Sequence, residues 1–405
     1  MAMWIKSERI YTERGLVDGA ILMEYGKIRR IVRKELLPPG MPGDVVDYGK
    51  NRIIPGIIDL HTHGFMGWSA NNTDPQHAIS CAVAHASCGV TGFLMTNGKW
   101  PGVLDNNAMI ANLMESEYPG ARVLGIHMEG PFINPDRRGA FSDEGMTAPD
   151  LELCKAYYES SRGALKYMTL APELPGNLEI IDYLCEKGVV VGAAHSMATY
   201  AETIAAIDRG LSVSIHTGNA MGPVHQREAT LLGAFLLDDR VRCELICDFF
   251  HVCPETIRIF LKMKGKERMM MVSDSGATSG MPAGKYELPG EGAIYIEKDG
   301  LVHLENGTIA GSSLYVLYGI GNLVEKLGLP MEDVAIMSSL TPARVLGLEH
   351  KKGSIREKKD ADFVVIDEDY KAIATYVEGT LAYDVNNHGE LYNTEGIQQF
   401  LVERY

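Results

Sequence analysis

Eight short runs of apolar, often β-branched residues punctuate the middle of the chain: Ile53–Leu60, Val90–Thr96, Val123–Met128, Lys166–Ala171, Val189–Ala194, Ser212–Ile215, Glu244–Cys247 and Met269–Val272. Between them lie stretches with helical spacing, opened by capping signals such as Asp74-Pro75 before HAISCAVAHAS and Pro254 before ETIRIFLKMK. Strands that are apolar on both faces and alternate with helices build parallel sheets. Eight such units predict a closed (β/α)8 barrel of the TIM type. An open doubly wound sheet is the alternative, and the absence of GxGxxG after the first run weighs against its dinucleotide-binding form. After the eighth run, the glycine-rich segment Gly276–Ala310 predicts a hairpin-bearing excursion, followed by helices near Leu314–Lys326 and Met331–Gly347.

The two ends of the chain are patterned differently. Met3–Thr12, Ala20–Val32 and Asp44–Tyr48 read as short strands, set apart by Gly15, the Tyr25-Gly26 turn and the Pro38-Pro39-Gly40 loop. Asp362–Asp367 and Ala372–Val377 read the same way at the other end. Neither piece has enough apolar surface to fold alone. We therefore expect one small β-sandwich domain from residues 1–52 plus 353–405, with the barrel of residues 53–352 inserted into it. A barrel also accommodates the length, since 405 residues exceed one ordinary compact domain.

Composition narrows the partners. The 53 acidic against 38 basic residues give a net charge of −15, which repels polyanions at long range. Nucleic acid and membrane are not expected as partners. The opening MAMWIKSERIY has no apolar run of signal-peptide type, and no stretch approaches 18 uncharged apolar residues. The seven cysteines are odd in number, form no CxxC pair and mostly sit inside apolar runs, so they read as reduced, buried thiols of a cytoplasmic protein. Cys243 and Cys247, at i and i+4 inside RVRCELICDFF, read as strand positions rather than metal ligands.

In a β/α barrel, reactive groups project from the C-terminal ends of the strands. The residues that close the eight runs are telling. His61 and His63 follow the first run, Glu129 the third, His195 the fifth, His216 the sixth, His251 the seventh and Asp274 the eighth. Five of the twelve histidines thus gather at one mouth with two carboxylates. His77, His85, His225, His303, His350 and His388 read as structural, and His127 as a supporting residue beside Glu129. Isolated histidines after strands are commonly structural, but independent structural residues have no reason to collect at one rim. Imidazoles and carboxylates at this density suit a divalent metal, zinc foremost, with iron or manganese as alternatives. Glu129, His195 and His216 form a three-ligand set with an open position. His61 and His63, which His-x-His alternation turns to one side, form a second set bridged by Glu129. A cation there draws the pKa of a water toward neutrality. Asp274 is positioned to take the water's proton and deliver it to the leaving group, and His251 to polarise the carbonyl under attack. The expected reaction class is metal-assisted hydrolysis of an amide.

PGIIDLHTHG, HMEGPF, AAHS, HTGNAM, FFHV, SDSG and the late TPARVLGL…KKGSIREKKDADFVVID occur in the order seen in the amidohydrolase superfamily. More narrowly, EGPF and NAM make the chain resemble the N-acetylglucosamine-6-phosphate deacetylase family, from Pro55 to about Asp367. The resemblance implies Glu129, His195 and His216 as ligands of the principal metal, with Asp274 as acid/base. It also implies that His251 contacts the substrate, and that the Asn219-Ala220 backbone and Arg227 receive a sugar phosphate. In this family the arginine reaches across a homodimer interface. The chain departs from the family pattern at Phe141, where histidine is frequent, at Gly218, where an aromatic residue is frequent, and in the Gly64–Thr73 loop, which is not glycine-rich. These positions bear on sugar epimer and acyl group.

Two further points separate alternatives. Many binuclear barrel hydrolases bridge their metals with a carboxylated lysine at the end of strand four, where this chain has Pro172-Glu173, with Lys166 at the strand's beginning. That favours Glu129 as the bridge. Taken alone, Arg227 in HQREATLLGAF also reads as a helix cap or salt-bridge partner, and Arg137 and Arg138 are weaker phosphate candidates. The expected activity is removal of acetate from N-acetylglucosamine 6-phosphate. The alternatives are another N-acyl small molecule, such as N-acetylgalactosamine 6-phosphate or an N-acyl amino acid, and a non-catalytic barrel module, against which the intact ligand set argues.

Overall fold

The computed structural model describes residues 2–41, 43–288 and 292–386. Eight parallel strands follow one another in chain order: β1 (Ile57–Thr62), β2 (Val90–Asn97), β3 (Arg122–Glu129), β4 (Leu165–Leu170), β5 (Val190–Ala193), β6 (Val213–Ser214), β7 (Arg242–Ile246) and β8 (Met269–Val272). The first and last meet just beyond their ends. Asp274 N donates to His61 O at 2.9 Å and His63 N to Ser275 O at 2.7 Å. The Ser273 hydroxyl donates to the buried Asp59 carboxylate at 2.5 Å. These bonds close the sheet into the expected barrel rather than leaving it open.

Helices α1 (Pro75–Ala86), α2 (Val103–Met114), α3 (Leu151–Ser160), α4 (Asn177–Glu186), α5 (Tyr200–Asp208), α6 (Thr230–Leu237) and α7 (Pro254–Lys264) connect successive strands. The capping signals act as read. Asp74 accepts from Gln76 N with Pro75 in the first turn, and Thr199 and Glu202 form a capping box at α5. The glycine-rich excursion is a three-stranded antiparallel meander, Gly284–Leu288, Gly292–Ile296 and Val302–Leu304. No described helix is long and apolar enough to cross a membrane.

The first apolar run corrects the sequence reading. Ile53–Leu60 is not one strand: Arg52–Pro55 joins a different sheet, and β1 starts only at Ile57. The break falls at Gly56, where a Cβ would lie 2.3 Å from the Thr91 side chain, so only glycine lets the backbone pass from one sheet to the other. The sixth run is also shorter than expected, with only Val213–Ser214 in regular pairing.

Arg52–Pro55 belongs to a sheet drawn from both ends of the chain. Its order is Thr380–Asp384, Ala372–Val377, Phe363–Ile366, Arg52–Pro55, Met3–Thr12, Gly15–Glu24 and Lys27–Arg33, while Asp44–Asp47 pairs with the start of Met3–Thr12. Strand alternation explains why Phe363–Ile366 is apolar throughout. Phe363 and Val365 enter a small core with Ile5, Ile21 and Tyr376, whereas Val364 and Ile366 face the barrel core. Charges tie the layers together as well. Buried Lys352 lies 2.9 Å from Asp362 and 3.1 Å from Glu378, and Glu378 in turn receives Arg122 of β3 at 3.0 Å. Lys352→Met would leave Asp362 buried without its cation. It is expected to cost about 3–5 kcal/mol, read as a lowered thermal midpoint.

Candidate metal centre

The mouth at the C-terminal ends of the strands collects the predicted side chains around one carboxylate. Glu129, the last residue of β3, is 3% exposed. Its Oε1 lies 3.2 Å from both His195 Nε2 and His216 Nε2, and these two nitrogens are 3.1 Å apart. Its Oε2 lies 2.9 Å from His63 Nε2 and 3.5 Å from His61 Nε2. Asp274 Oδ1 stands 3.4 Å from His61 Nε2 and 3.7 Å from His63 Nε2. The ligand atoms of Glu129, His195 and His216 lie within 4.8 Å of one another, as do those of His61, His63 and Asp274. Glu129 spans the two groups.

The surrounding bonds orient these rings. His195 Nδ1 donates to Arg137 O at 2.8 Å, and His61 Nδ1 donates to Glu244 Oε2 at 3.0 Å. Each ring therefore turns its Nε2 toward Glu129. Lone pairs of His195, His216 and Glu129 converging within 3.2 Å repel unless positive charge lies among them, so the donor set fits a divalent cation. The protonation balance points the same way. Burial works against a charged His61, yet Asp274, Glu129 and Glu244 outweigh it and hold its pKa well above the usual value. Burial likewise pushes the Glu129 carboxyl up, but His61, His195 and His216 more than offset this and hold it well below the ordinary range.

Backbone strain marks the same residues. His195, His216 and Asp274 each lie two positions past a strand, with φ of +47°, +30° and +50°. Left-handed backbone is uncommon for residues other than glycine and collects at functional sites. It aims each side chain back over the barrel mouth.

Glu244 is the residue the sequence reading missed. It occupies the middle of β7, fully buried, where it receives His61 Nδ1, the His216 backbone N–H at 3.0 Å and the Tyr167 hydroxyl at 2.9 Å. One acidic residue in the buried CELI stretch of this barrel strand was the available signal, because buried acids are rarely unpaired. Glu244→Gln is expected to weaken metal affinity about 10–100-fold, measured by titration of the stripped protein, through loss of its hold on His61 and His216.

Other predicted residues fall outside the cluster. His127 is buried between Thr96 and Thr169, at 3.2 and 2.8 Å, and burial drives its pKa well below the usual value. His85 is buried against the Thr62 hydroxyl, and burial lowers it to about 3. His77 packs on Trp68, His303 pairs with Glu297, and His225 and His350 are exposed; His388 lies outside the described residues. His251 donates to Asp248 and lines a cavity of about 500 Å³ together with Gly218, Cys253, Thr256 and Phe260. Cys253 is exposed, unlike the buried thiols expected, and all seven cysteines are free. Asn219 folds back on His216 O, and Ala220 O accepts from Ser196 N. Arg227 is exposed, and its guanidinium makes no ion pair or side-chain hydrogen bond among the described residues. The cap reading fails for it, since Glu228, not Arg227, accepts from Thr230 N at the start of α6. Arg138 pairs with Asp143, and Arg137 reaches Met197. Phe141 stands edge-on to His195 at 5.1 Å, and Gly64–Phe65 pairs with Trp68–Ser69 in a short hairpin.

Comparison with known proteins agrees with this geometry. Residues 52–387 match the amidohydrolase family. The N-acetylglucosamine-6-phosphate deacetylase of Lysinibacillus sphaericus is 31% identical over 91% of this chain and 94% of its own length. The N-acetylgalactosamine-6-phosphate deacetylase of Escherichia coli O157:H7 is 32% identical over 93% of this chain and 98% of its own. In three dimensions, the N-acetylglucosamine-6-phosphate deacetylase of Pasteurella multocida superposes with a TM-score of 0.88 at 27% identity, covering 94% of this chain and 99% of that one.

Proposed function

This chain belongs to the amidohydrolase family, and from that premise we propose that it hydrolyses the acetamido group of N-acetylglucosamine 6-phosphate, yielding glucosamine 6-phosphate and acetate. The observation that carries this reading is Glu129, whose two oxygens are shared between His195 with His216 on one side and His61 with His63 on the other. Zinc is the cation this donor set suits best, with iron or manganese as alternatives, held by Glu129, His195 and His216. His61, His63 and Asp274 would hold a second ion. When bound, such a cation supplies Lewis acidity and a water acidified toward neutral pH.

The chain's own residues do the rest. The Asp274 carboxylate takes a proton from the attacking water, and the water's oxygen forms the new bond to the acyl carbon. As the C–N bond breaks, Asp274 returns that proton to the departing amine nitrogen. His251 donates from Nε2 to a substrate oxygen. We assign the chemistry to the barrel, expected over residues 53–352 and beginning at Ile57, and a supporting role to the sheet drawn from both ends of the chain.

Arg227 and the Asn219-Ala220 backbone receive the phosphate in this reading, and Arg227 serves the site of a second copy in a homodimer. An exposed, unpaired guanidinium on the turn beside exposed Val224 is suited to that use. A cytoplasmic location is part of the same proposal. Acetate release from a panel of acetamido sugars, with bound metal measured in the same preparation, tests the function. The galacto epimer is the second reading, favoured by the similarity to the Escherichia coli protein, and the panel separates the two. Arg227→Ala is expected to raise KM for the phosphorylated sugar about tenfold or more, the worth of a charge-assisted contact, with little change for the unphosphorylated one. Light scattering tests the dimer.

A further inference from the structure

Resting on the reading above, we propose that Asp248 is a positioning residue, which fixes His251 with its Nε2–H facing the cavity as a donor to a negatively charged oxygen of the substrate. Three observations carry this. Asp248 is nearly buried and accepts on both oxygens: Oδ1 from Phe250 N at 2.9 Å and His251 N at 3.0 Å, Oδ2 from His251 Nδ1 at 2.7 Å and the Ser312 hydroxyl at 2.9 Å. The turn between them is strained, with Phe249 at φ +71°, and that conformation swings the His251 ring back over the Asp248 carboxylate. His251 Nδ1 is thereby committed, whereas Nε2 makes no hydrogen bond among the described residues and its ring lines the 500 Å³ cavity beside Gly218.

With Nδ1–H given to Asp248, a neutral ring would leave Nε2 a bare acceptor, so Nε2 donates only from the doubly protonated ring, which a carboxylate oxygen 2.7 Å from Nδ1 favours. A carboxylate can only accept from Nδ1, so it fixes the ring's orientation and stabilises the cationic form. Asp248 and Asp274 both contribute to that field, and they overcome the burial that opposes a charged His251. Asp274 is also linked physically, because Ser312 N donates to Asp274 O at 2.9 Å while the Ser312 hydroxyl donates to Asp248. One hydroxyl residue thus keeps the substrate-facing donor in register with the proton-transfer carboxylate. Phe249 is braced from outside by Lys326, 5.5 Å above its ring.

A double-mutant cycle on the full-length metal-loaded protein tests the assignment. Asp248→Asn is expected to lower kcat/KM about 10–100-fold, and to add less than about threefold when His251 is already glutamine, because coupled residues are non-additive. Ser312→Ala, the milder second variant, is expected to show the same dependence on His251. A loss in KM confined to the phosphorylated sugar identifies the oxygen as phosphate, and a loss in kcat for both sugars identifies it as the carbonyl under attack. Nitrogen NMR of the ring, at one pH for both proteins, should show a larger doubly protonated fraction of His251 in the wild type than in Asp248→Asn. Full additivity with His251→Gln, or an unchanged ring signal, overturns the proposal. Absence of deacetylase activity in the wild type overturns the function instead, and is read before the cycle begins.

Discussion

Asp274→Asn is expected to reduce kcat about 10²–10⁴-fold, the range that positioned proton transfer contributes, while leaving KM and the principal metal nearly unchanged. Asparagine preserves the shape of a residue whose backbone is pinned from both sides, N to His61 O and O to Ser312 N, each at 2.9 Å. The substitution therefore leaves the left-handed turn and the barrel closure in place. What it removes is a proton acceptor 3.4 Å from His61 and 3.7 Å from His63, at the edge of the cluster and partly open to solvent. Glu129, His195 and His216 do not depend on it for their mutual contacts. Steady-state kinetics with elemental analysis of the same sample checks both halves. A kcat within about threefold of the wild type, far short of that loss, would remove Asp274 from the acid/base role.

Glu129→Gln is expected to abolish metal binding and with it turnover. The two oxygens of Glu129 face the Nε2 atoms of His195 with His216 and of His61 with His63, and the amide nitrogen of glutamine would aim hydrogens at imidazole lone pairs or at a cation. Elemental analysis measures the loss directly, and stability offers a second readout. A wild type holding metal at a thousandfold its Kd gains about 4 kcal/mol, which a chelator removes. The variant's melting temperature should not respond to the chelator at all. Stoichiometric metal in purified Glu129→Gln would show that the histidines alone suffice.

The cluster itself was readable because the barrel rule converts a position in the chain into a position in space. Each of His61, Glu129, His195, His216 and Asp274 could be located by asking what ends a strand, without knowing a single contact. Glu244 and Asp248 escaped for the opposite reason. Each acts through a partner that only folding supplies, Glu244 through His61 on the far side of the closure, Asp248 through a strained turn and Ser312. An acid inside β7 was the trace of Glu244, and an acid just past its end the trace of Asp248. The fold was legible on similar terms. Periodicity revealed the strands and their alternation with helices, but it could not show that Ile53–Leu60 serves two sheets, since both halves are equally apolar and the division depends on how closely Thr91 approaches Gly56. Phe363–Ile366 looked like any buried strand, and only the packing shows that its alternate residues belong to different cores.

The sheet drawn from both termini has a consequence for biosynthesis. Ile53 and Ile54 pair with Val365 and Val364, so the amino-terminal strands leave the ribosome long before their neighbour exists. At about 5–20 residues per second, that interval is on the order of tens of seconds. During it the nascent chain carries an open edge, the kind of surface that invites adventitious association. The barrel section can mature first and then serve as the template on which Phe363–Ile366 docks, which makes that late strand the one that seals the edge.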